Sequence, residues 1–441
     1  MRKYLMIPIA LLLINNLILA DNIKLSIEDA LTIGIENNKT IKISKKSIRE
    51  SEKKYKISKS KLYPKISINS SYLKIKQQNE FGFVNPLTSE KIIVSPEFDT
   101  KITNTLSLNQ VIFSGFALRN NIKISDYNRK ISKSEFQENK SELLFEINTI
   151  YWNLYKLKNM KQIIIKSIVQ MRNHLKDIKN YYEEGMATKA DILKVKEKIS
   201  NVELKEIENE NKIKKTKLKL KIILGIDINN NIEIVSDIDK NKKKYEYSLN
   251  KCIQKGLKKR EELRQLKMKK RIADLSVNTA ESKFLPKFMI VGNYHYDKPN
   301  ASVQPAKNDF SESWEVGVSF SFDIFNGGKR FHELAKNKIA KDKTEILYKQ
   351  FEENIRKQIF EAYLDYKKEI KSIEYINKNF NEAAENYRIT RNLYKEGMVS
   401  SSNLLDSEVL FMESKIRKTN SRVDLYLSKL KLDKLIGELS L

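Results

Sequence analysis

The sequence predicts a mainly helical protein with a small β part, made of two copies of one unit that joins a strand hairpin to a very long helical hairpin. Three observations carry that expectation. First, an offset of 212 residues takes Tyr182-Glu-Glu-Gly185-Met186 to Tyr394-Lys-Glu-Gly397-Met398. The same offset takes Tyr151 to Tyr363, Leu193 to Leu405, Gly225 to Gly437 and Phe113-Ser-Gly115 to Phe325-Asn-Gly327. Upstream an offset of 222 takes Leu62-Tyr-Pro-Lys65 to Phe284-Leu-Pro-Lys287, so the first copy carries the longer loop. Fixed matches on both sides of a drifting loop mark a duplicated unit. Second, the seven prolines, at 8, 64, 86, 96, 286, 299 and 305, leave two long windows in which helices can run unbroken. Third, Trp314, Val316, Val318, Phe320, Phe322 and Ile324 alternate with Glu315, Gly317, Ser319, Ser321 and Asp323. That is the period-two pattern of a strand with one apolar and one wet face.

The elements follow in order. Arg2 and Lys3 precede an uncharged run from Tyr4 to Leu19 that ends at Ala20, the layout of a secretory signal peptide over residues 1–20. The first copy is placed at 21–230, a connector at 231–247 and the second copy at 248–441. In each copy a helical stretch, about 26 to 62 and about 248 to 284, runs into a proline that ends it. A β-hairpin comes next, over 65–114 and 287–326. In the second copy Phe288, Ile290, Tyr294 and Tyr296 face one way, against Met289, Val291, Asn293 and His295. In the first, Leu106, Leu108 and Ile112 stand against Ser107 and Asn109. Long helical hairpins then occupy 115–225 and 327–437. Ile355, Ile359, Ala362, Tyr366, Ile370 and Ile373 step by threes and fours, like a coiled-coil seam. A helix of about 67 residues is about 100 Å long. Rods of that length are held by neighbours, not by a compact core.

Composition excludes several functions. Lys and Arg outnumber Asp and Glu by 83 to 56, a net charge of +27. The lysines are spread along an exported chain, which fits a solvated helix surface and no nucleic-acid partner. Cys252 is the only cysteine, which excludes an intramolecular disulfide and a multi-cysteine metal site. His174, His295 and His332 are scattered, and Asn326-Gly-Gly-Lys329 lacks the spacing of a phosphate-binding loop. No catalytic set, metal or cofactor is expected. Beyond the N-terminus no run approaches the roughly 20 apolar residues of a spanning helix, so any membrane passage needs strands. Four strands of about 11 residues are long enough to cross when tilted. They cannot close a barrel alone, and an open edge in lipid costs several kcal/mol per unpaired backbone group. Three copies would supply 12 strands, within the even-numbered range of membrane barrels, with the apolar face on lipid.

Ser26-Ile-Glu-Asp-Ala30-Leu31 with Glu36-Asn37-Asn38, then Leu62-Tyr-Pro64, resembles the opening of the TolC-like outer-membrane efflux protein family. Trp314-Glu-Val-Gly-Val-Ser-Phe320 with Phe325-Asn-Gly-Gly328 resembles its second strand-to-helix junction. Tyr394-Lys-Glu-Gly397-Met398, followed by Asn403-Leu-Leu-Asp406, resembles its hairpin tip. The resemblance implies a homotrimer with a 12-stranded outer-membrane β-barrel and a helical α-barrel through the periplasm. It further implies a passive exit duct of a tripartite efflux pump or type I secretion system. The partners would be a periplasmic adaptor (membrane fusion) protein and an inner-membrane pump or secretion ATPase. It places adaptor docking at the tips, on Gly185, Met186, Leu193, Gly397, Met398 and Leu405. It places a periplasmic gate at Asp191, Tyr394, Asn403 and Asp406. The family's gate has carboxylates six and nine residues after the second-copy glycine; Asn403 and Asp406 stand there, so one acid is retained and a weaker cation block is expected. Tyr394 and Asp191 match a tie that holds the closed state, whereas Val399 replaces the arginine of a second tie. The alternative reading is an exported basic coiled-coil protein, structural or adhesive, without a pore.

Overall fold

The computed structural model describes residues 22–76, 81–95, 97–238 and 247–439. The expected signal peptide and part of the expected connector lie outside the described residues. The first half holds strand β1 (Asn22–Leu25), helices α1 (Ile27–Asn37) and α2 (Lys39–Ser60), and strands β2 (Lys65–Lys74), β3 (Phe81–Val84), β4 (Lys91–Ser95) and β5 (Thr100–Ser114). Helices α3 (Ala117–Glu183) and α4 (Lys189–Leu224) follow, then strand β6 (Asn231–Ile234). The second half holds α5 (Leu249–Lys259), α6 (Glu261–Glu281), β7 (Lys287–Asp297), β8 (Ser311–Ser321), α7 (Lys329–Lys395) and α8 (Ser401–Leu435). The proline-free windows are filled as expected: α3 and α7 are each 67 residues long.

The chain divides into two units. One comprises Ser44–Gln137 and Glu261–Asn354 and carries the main sheet. Its strand order is β2-β5-β7-β8, every pair antiparallel. The register gathers most apolar side chains on one face and most polar ones on the other, with Val111, Met289 and Val291 as apolar exceptions on the polar face. Trp314, Val316, Val318 and Phe320 of β8 lie opposite Tyr294, Gly292, Ile290 and Phe288 of β7. Tyr294 and Gly292 in turn meet Leu106 and Leu108 of β5, which meet Ile68 and Ile66 of β2. The other face carries Ser67, Asn69 and Ser71, then Thr103, Thr105 and Ser107, Asn293 and His295, and Glu315 and Ser319. Most of the apolar face is bare: Ile66, Ile68, Trp314, Val316, Val318 and Phe320 are exposed.

Three details depart from the alternation. β5 shifts register between Val111 and Phe113, so Ile112 falls out of the pattern. β8 stops at Ser321, short of the expected Ile324. Beyond it Arg330 donates to the carbonyl of Asp323 at 2.9 Å and lies over the rings of Phe284, Phe322 and Phe331. These contacts hold the chain in a turn that enters α7. The longer first loop contains a hairpin of its own, β3 with β4, which period-two reading over so few residues does not resolve.

The other unit comprises, among the described residues, 22–43, 138–238, 247–260 and 355–439. Its core is a seam along the long helices, in which Ile355, Ile359, Ala362 and Tyr366 are buried. The short helices approach closely through glycine. A Cβ on Gly34 would stand 2.3 Å from Ile147 Cδ1, and one on Gly256 the same 2.3 Å from Ile359 Cδ1. The two contacts are equivalent under the repeat. The single helices expected over 26–62 and 248–284 are each broken by one residue, at Asn38 (ψ 130°) and Arg260 (ψ 126°). Asn38 restarts the helix by accepting the Thr40 N–H at 2.8 Å, while its amide donates to the Ile223 carbonyl. β1 and β6 form a parallel pair that buries Leu25 and Ile232. Tyr151 closes it: its hydroxyl donates to the Leu25 carbonyl and accepts the Ser236 N–H.

Candidate functional site: the hairpin tips

Each long helix ends at a glycine in the left-handed region, Gly185 at φ 76° and Gly397 at φ 71°. Met186 N–H reaches back to Tyr181 O and Gly185 N–H to Tyr182 O; Met398 and Gly397 bond Leu393 and Tyr394 in the same way. This paired closure turns the chain sharply and satisfies the last carbonyls of the rod. A Cβ at either glycine would meet nothing within 4 Å. Backbone conformation, not space, demands glycine there.

The returning helices start on different caps. Thr188 and Asp191 form a complete capping box: the Asp191 N–H donates to Thr188 Oγ1, while the Thr188 N–H and hydroxyl donate to Asp191 Oδ2 at 3.0 and 2.6 Å. The Thr188 hydroxyl, then its amide, hold the Asp191 carboxyl below the usual range. In the second copy Ser400 accepts the Asn403 N–H, and no bond returns. Asp191 therefore has a helix-capping role that Asn403 lacks. Asn403→Asp is expected to complete the second box and stabilise the tip by about 0.5–1 kcal/mol, read as a higher melting temperature.

Beneath the tips, α3 contributes Ile164, Ile168, Met171 and Ile178 to one buried cluster. α4 adds Ile192, Val195, Ile199 and Val202, and α8 adds Leu405 and Met412. Leu405, expected on the docking surface, is thus a core residue at 3% exposure. Its repeat partner Leu193 is 56% exposed, and Met186 and Met398 are open as well.

Tyr394 packs edge-on against His174, with ring centres 4.8 Å apart. Its hydroxyl is buried without a hydrogen-bond partner and pushed up to about 12, by burial first and then by Tyr181, Asp177 and Asp191. The bond expected between Tyr394 and Asp191 is therefore not formed within this chain. His174 Nε2 instead lies 2.8 Å from Ser401 Oγ, which joins α3 to the first turn of α8. Burial lowers the His174 pKa, which favours the neutral ring. Asp406, the retained acid, pairs with Lys198 of α4 at 3.2 Å, and its neighbour Asn403 is exposed.

One residue had a sequence signal that sequence reasoning missed. Ser401, Leu405, Glu408 and Met412 step by four, three and four, which puts a carboxylate in an apolar seam. Glu408 is 3% exposed, its Oε1 has no partner, and burial pushes its carboxyl up to about 7 against the pull of Arg391.

This geometry, a duplicated pair of long helical hairpins plus a four-stranded sheet apolar on one side, defines the subunit of a TolC-like outer-membrane channel. The family described as "Outer membrane efflux protein" matches residues 32–226 and 252–438. The chain belongs to the outer membrane efflux protein family. Solved structures share the fold. The Campylobacter jejuni CmeC outer membrane channel is 16% identical, with 93% of this chain and 85% of that chain covered and a TM-score of 0.80. The outer membrane protein VceC of Vibrio cholerae is 12% identical, with 93% and 96% covered and a TM-score of 0.78. The Neisseria gonorrhoeae MtrE outer membrane channel in its open state is 13% identical, with 93% and 88% covered and a TM-score of 0.75. No curated protein matches the sequence. Membership places the chain in the outer membrane with a periplasmic extension, as an efflux channel and not as one of a family of enzymes. It also implies trimeric assembly and association with efflux pump partners.

Proposed function

We propose that three copies close their sheets into a 12-stranded barrel and act as the passive exit duct of a tripartite efflux pump or type I secretion system. One observation carries this reading. The main sheet gathers an exposed, mainly apolar face and a mainly polar one, and among the described residues no strand pairs with the outer side of either edge strand, β2 or β8. Four antiparallel strands make those edges antiparallel to each other, so copies can join edge to edge without breaking the pattern. The polar face would line water and the apolar face would meet lipid. Residues 1–20 would direct export, and the repeats at 21–230 and 248–441 would supply two unequal hairpins each.

At the tips, Met186, Leu193 and Met398 would receive the periplasmic adaptor, which links the duct to an inner-membrane pump or secretion ATPase. The gate would use Asp191, Tyr394, Asn403 and Asp406, with Lys198 partly neutralising the Asp406 ring. Purified trimer in a planar bilayer is expected to give discrete conductance steps, and their absence would overturn the reading. Asp406→Asn should weaken block by multivalent cations added on the periplasmic side, and Lys198→Gln should strengthen it. Unchanged block in both variants would remove Asp406 from the gate.

A further inference from the structure

A cavity of about 410 Å³ in the helical unit is lined by α3, α7 and α8. Cations reach it from two helices: Lys166 of α3, and Lys415, Lys418 and Arg422 of α8. The three α8 residues are spaced three and four apart, so they share one helix face. Phe380 of α7 also lines it, and Lys418 Nζ lies 3.8 Å from the centre of that ring. A cation over a ring face is held there, so this ammonium is fixed at the cavity. No carboxylate is among the lining residues.

The other lysines of α8 are neutralised, Lys429 by Asp433, Lys431 by Asp365 and Lys434 by Glu142, and on α3 Lys156 pairs with Asp424 and Lys161 with Glu210. Among the described residues Lys166, Lys415 and Lys418 have no such ion pair. Asp237, which precedes the lining residue Ile238, accepts the Tyr155 hydroxyl at 3.1 Å. Ammonium groups gathered around one cavity repel each other within a Debye length of about 8 Å at physiological salt. A multivalent anion relieves that repulsion and gains charge-assisted hydrogen bonds. The volume lies in the range of small-molecule sites, about 300–1,000 Å³. The side-chain amides of Asn159 and Gln162 add neutral donors.

We propose that this cavity binds a small organic polyanion, one bearing two or more phosphate or carboxylate groups, and that the ligand braces α3 against α8. The assignment does not depend on what passes through the pore.

The test uses the detergent-solubilised full chain in 150 mM salt, with tripolyphosphate and citrate as probes and hexaglutamate as a peptide arm. Calorimetry is expected to show one tripolyphosphate or citrate per chain, with a rise in melting temperature. Lys166→Gln/Lys415→Gln/Lys418→Gln should weaken binding about tenfold or more. Lys45→Gln/Lys46→Gln/Lys53→Gln removes the same charge from an exposed helix face and should change it less than about twofold. Lys166→Gln alone, at an exposed position, should still weaken binding if the triple variant does not fold. Equal weakening in both triples would mean diffuse surface charge and overturn the site. Binding of hexaglutamate but of neither small anion would assign the surface to an acidic protein segment and overturn it too. No binding of any probe would do the same.

Discussion

Val316→Arg is expected to abolish assembly of the chain in the outer membrane, whereas Ser319→Arg is expected to leave assembly intact. Val316 is the middle residue of β8 and 71% exposed, and across the register its face continues through Gly292, Leu108 and Ile66. On a lipid-facing surface an arginine near the midplane costs about 2–4 kcal/mol, and a homotrimer meets that cost in every copy. Ser319 lies on the opposite, polar face, where a cation would be hydrated by the pore. The fraction of protein recovered as heat-resistant trimer in the outer-membrane fraction checks both. Equal tolerance of the two substitutions would mean that the apolar face does not meet lipid.

Glu408→Met is expected to stabilise the helical unit at pH 8 by about 2–3 kcal/mol and to change it far less at pH 4.5. The Glu408 carboxyl ionises at about 7 in the fold against an ordinary 4.5. Between those values the folded chain holds the proton more tightly than the unfolded chain. The stabilising effect of that proton is therefore complete below about 4.5 and lost as the pH rises through about 7. Arg391 is the charged group that opposes the shift, and Tyr387 feels the carboxylate in turn. Methionine fills a similar volume without an unpartnered oxygen. His174 works in the opposite sense. Its pKa is lowered, so its stabilising contribution is present above the ordinary histidine range and lost as the pH falls. Melting curves at pH 4.5 and 8 for the parent and Glu408→Met separate the two groups. A smaller gain at pH 8 than at pH 4.5 would contradict this account.

The fold was legible where the backbone leaves little choice of residue. The tip glycines stand out in the sequence because a left-handed closure accepts little else, and the repeat makes each occurrence support the other. β8 was legible because apolar and polar side chains alternate along most of its length, one set on each face. The break at Asn38 was not, because the helical pattern runs through it; the break follows from a side chain that reaches Ile223, 185 residues away. β1 and β6 are four residues each, too short for alternation to register. At the tip, Leu193 and Leu405 are identical under the repeat yet differ in exposure. The difference arises because Leu405 enters a cluster built from α3 and α4, a tertiary fact that no local pattern carries. The pairing of Lys198 with Asp406 is equally remote in sequence. At Asp191 the local pattern carries a helix cap as well, since the Thr188-to-Asp191 spacing is that of a capping box.

In the proposed trimer the edges of one chain's sheet are completed by other copies, three in all. Within one chain β2 and β8 are separated by three strand spacings, about 14 Å, beyond the roughly 7 Å Cα limit for a disulfide. A cysteine on each edge can therefore bridge only between chains. Ser67, Asn69 or Ser71 on β2 would be paired in turn with Ser313, Glu315 or Ser319 on β8, in a Cys252→Ser background, and oxidised in the membrane. The account predicts, for the pairs in register, a covalent ladder that stops at three chains. A product that remains monomeric in every pairing, stops at two chains or continues beyond three would contradict it.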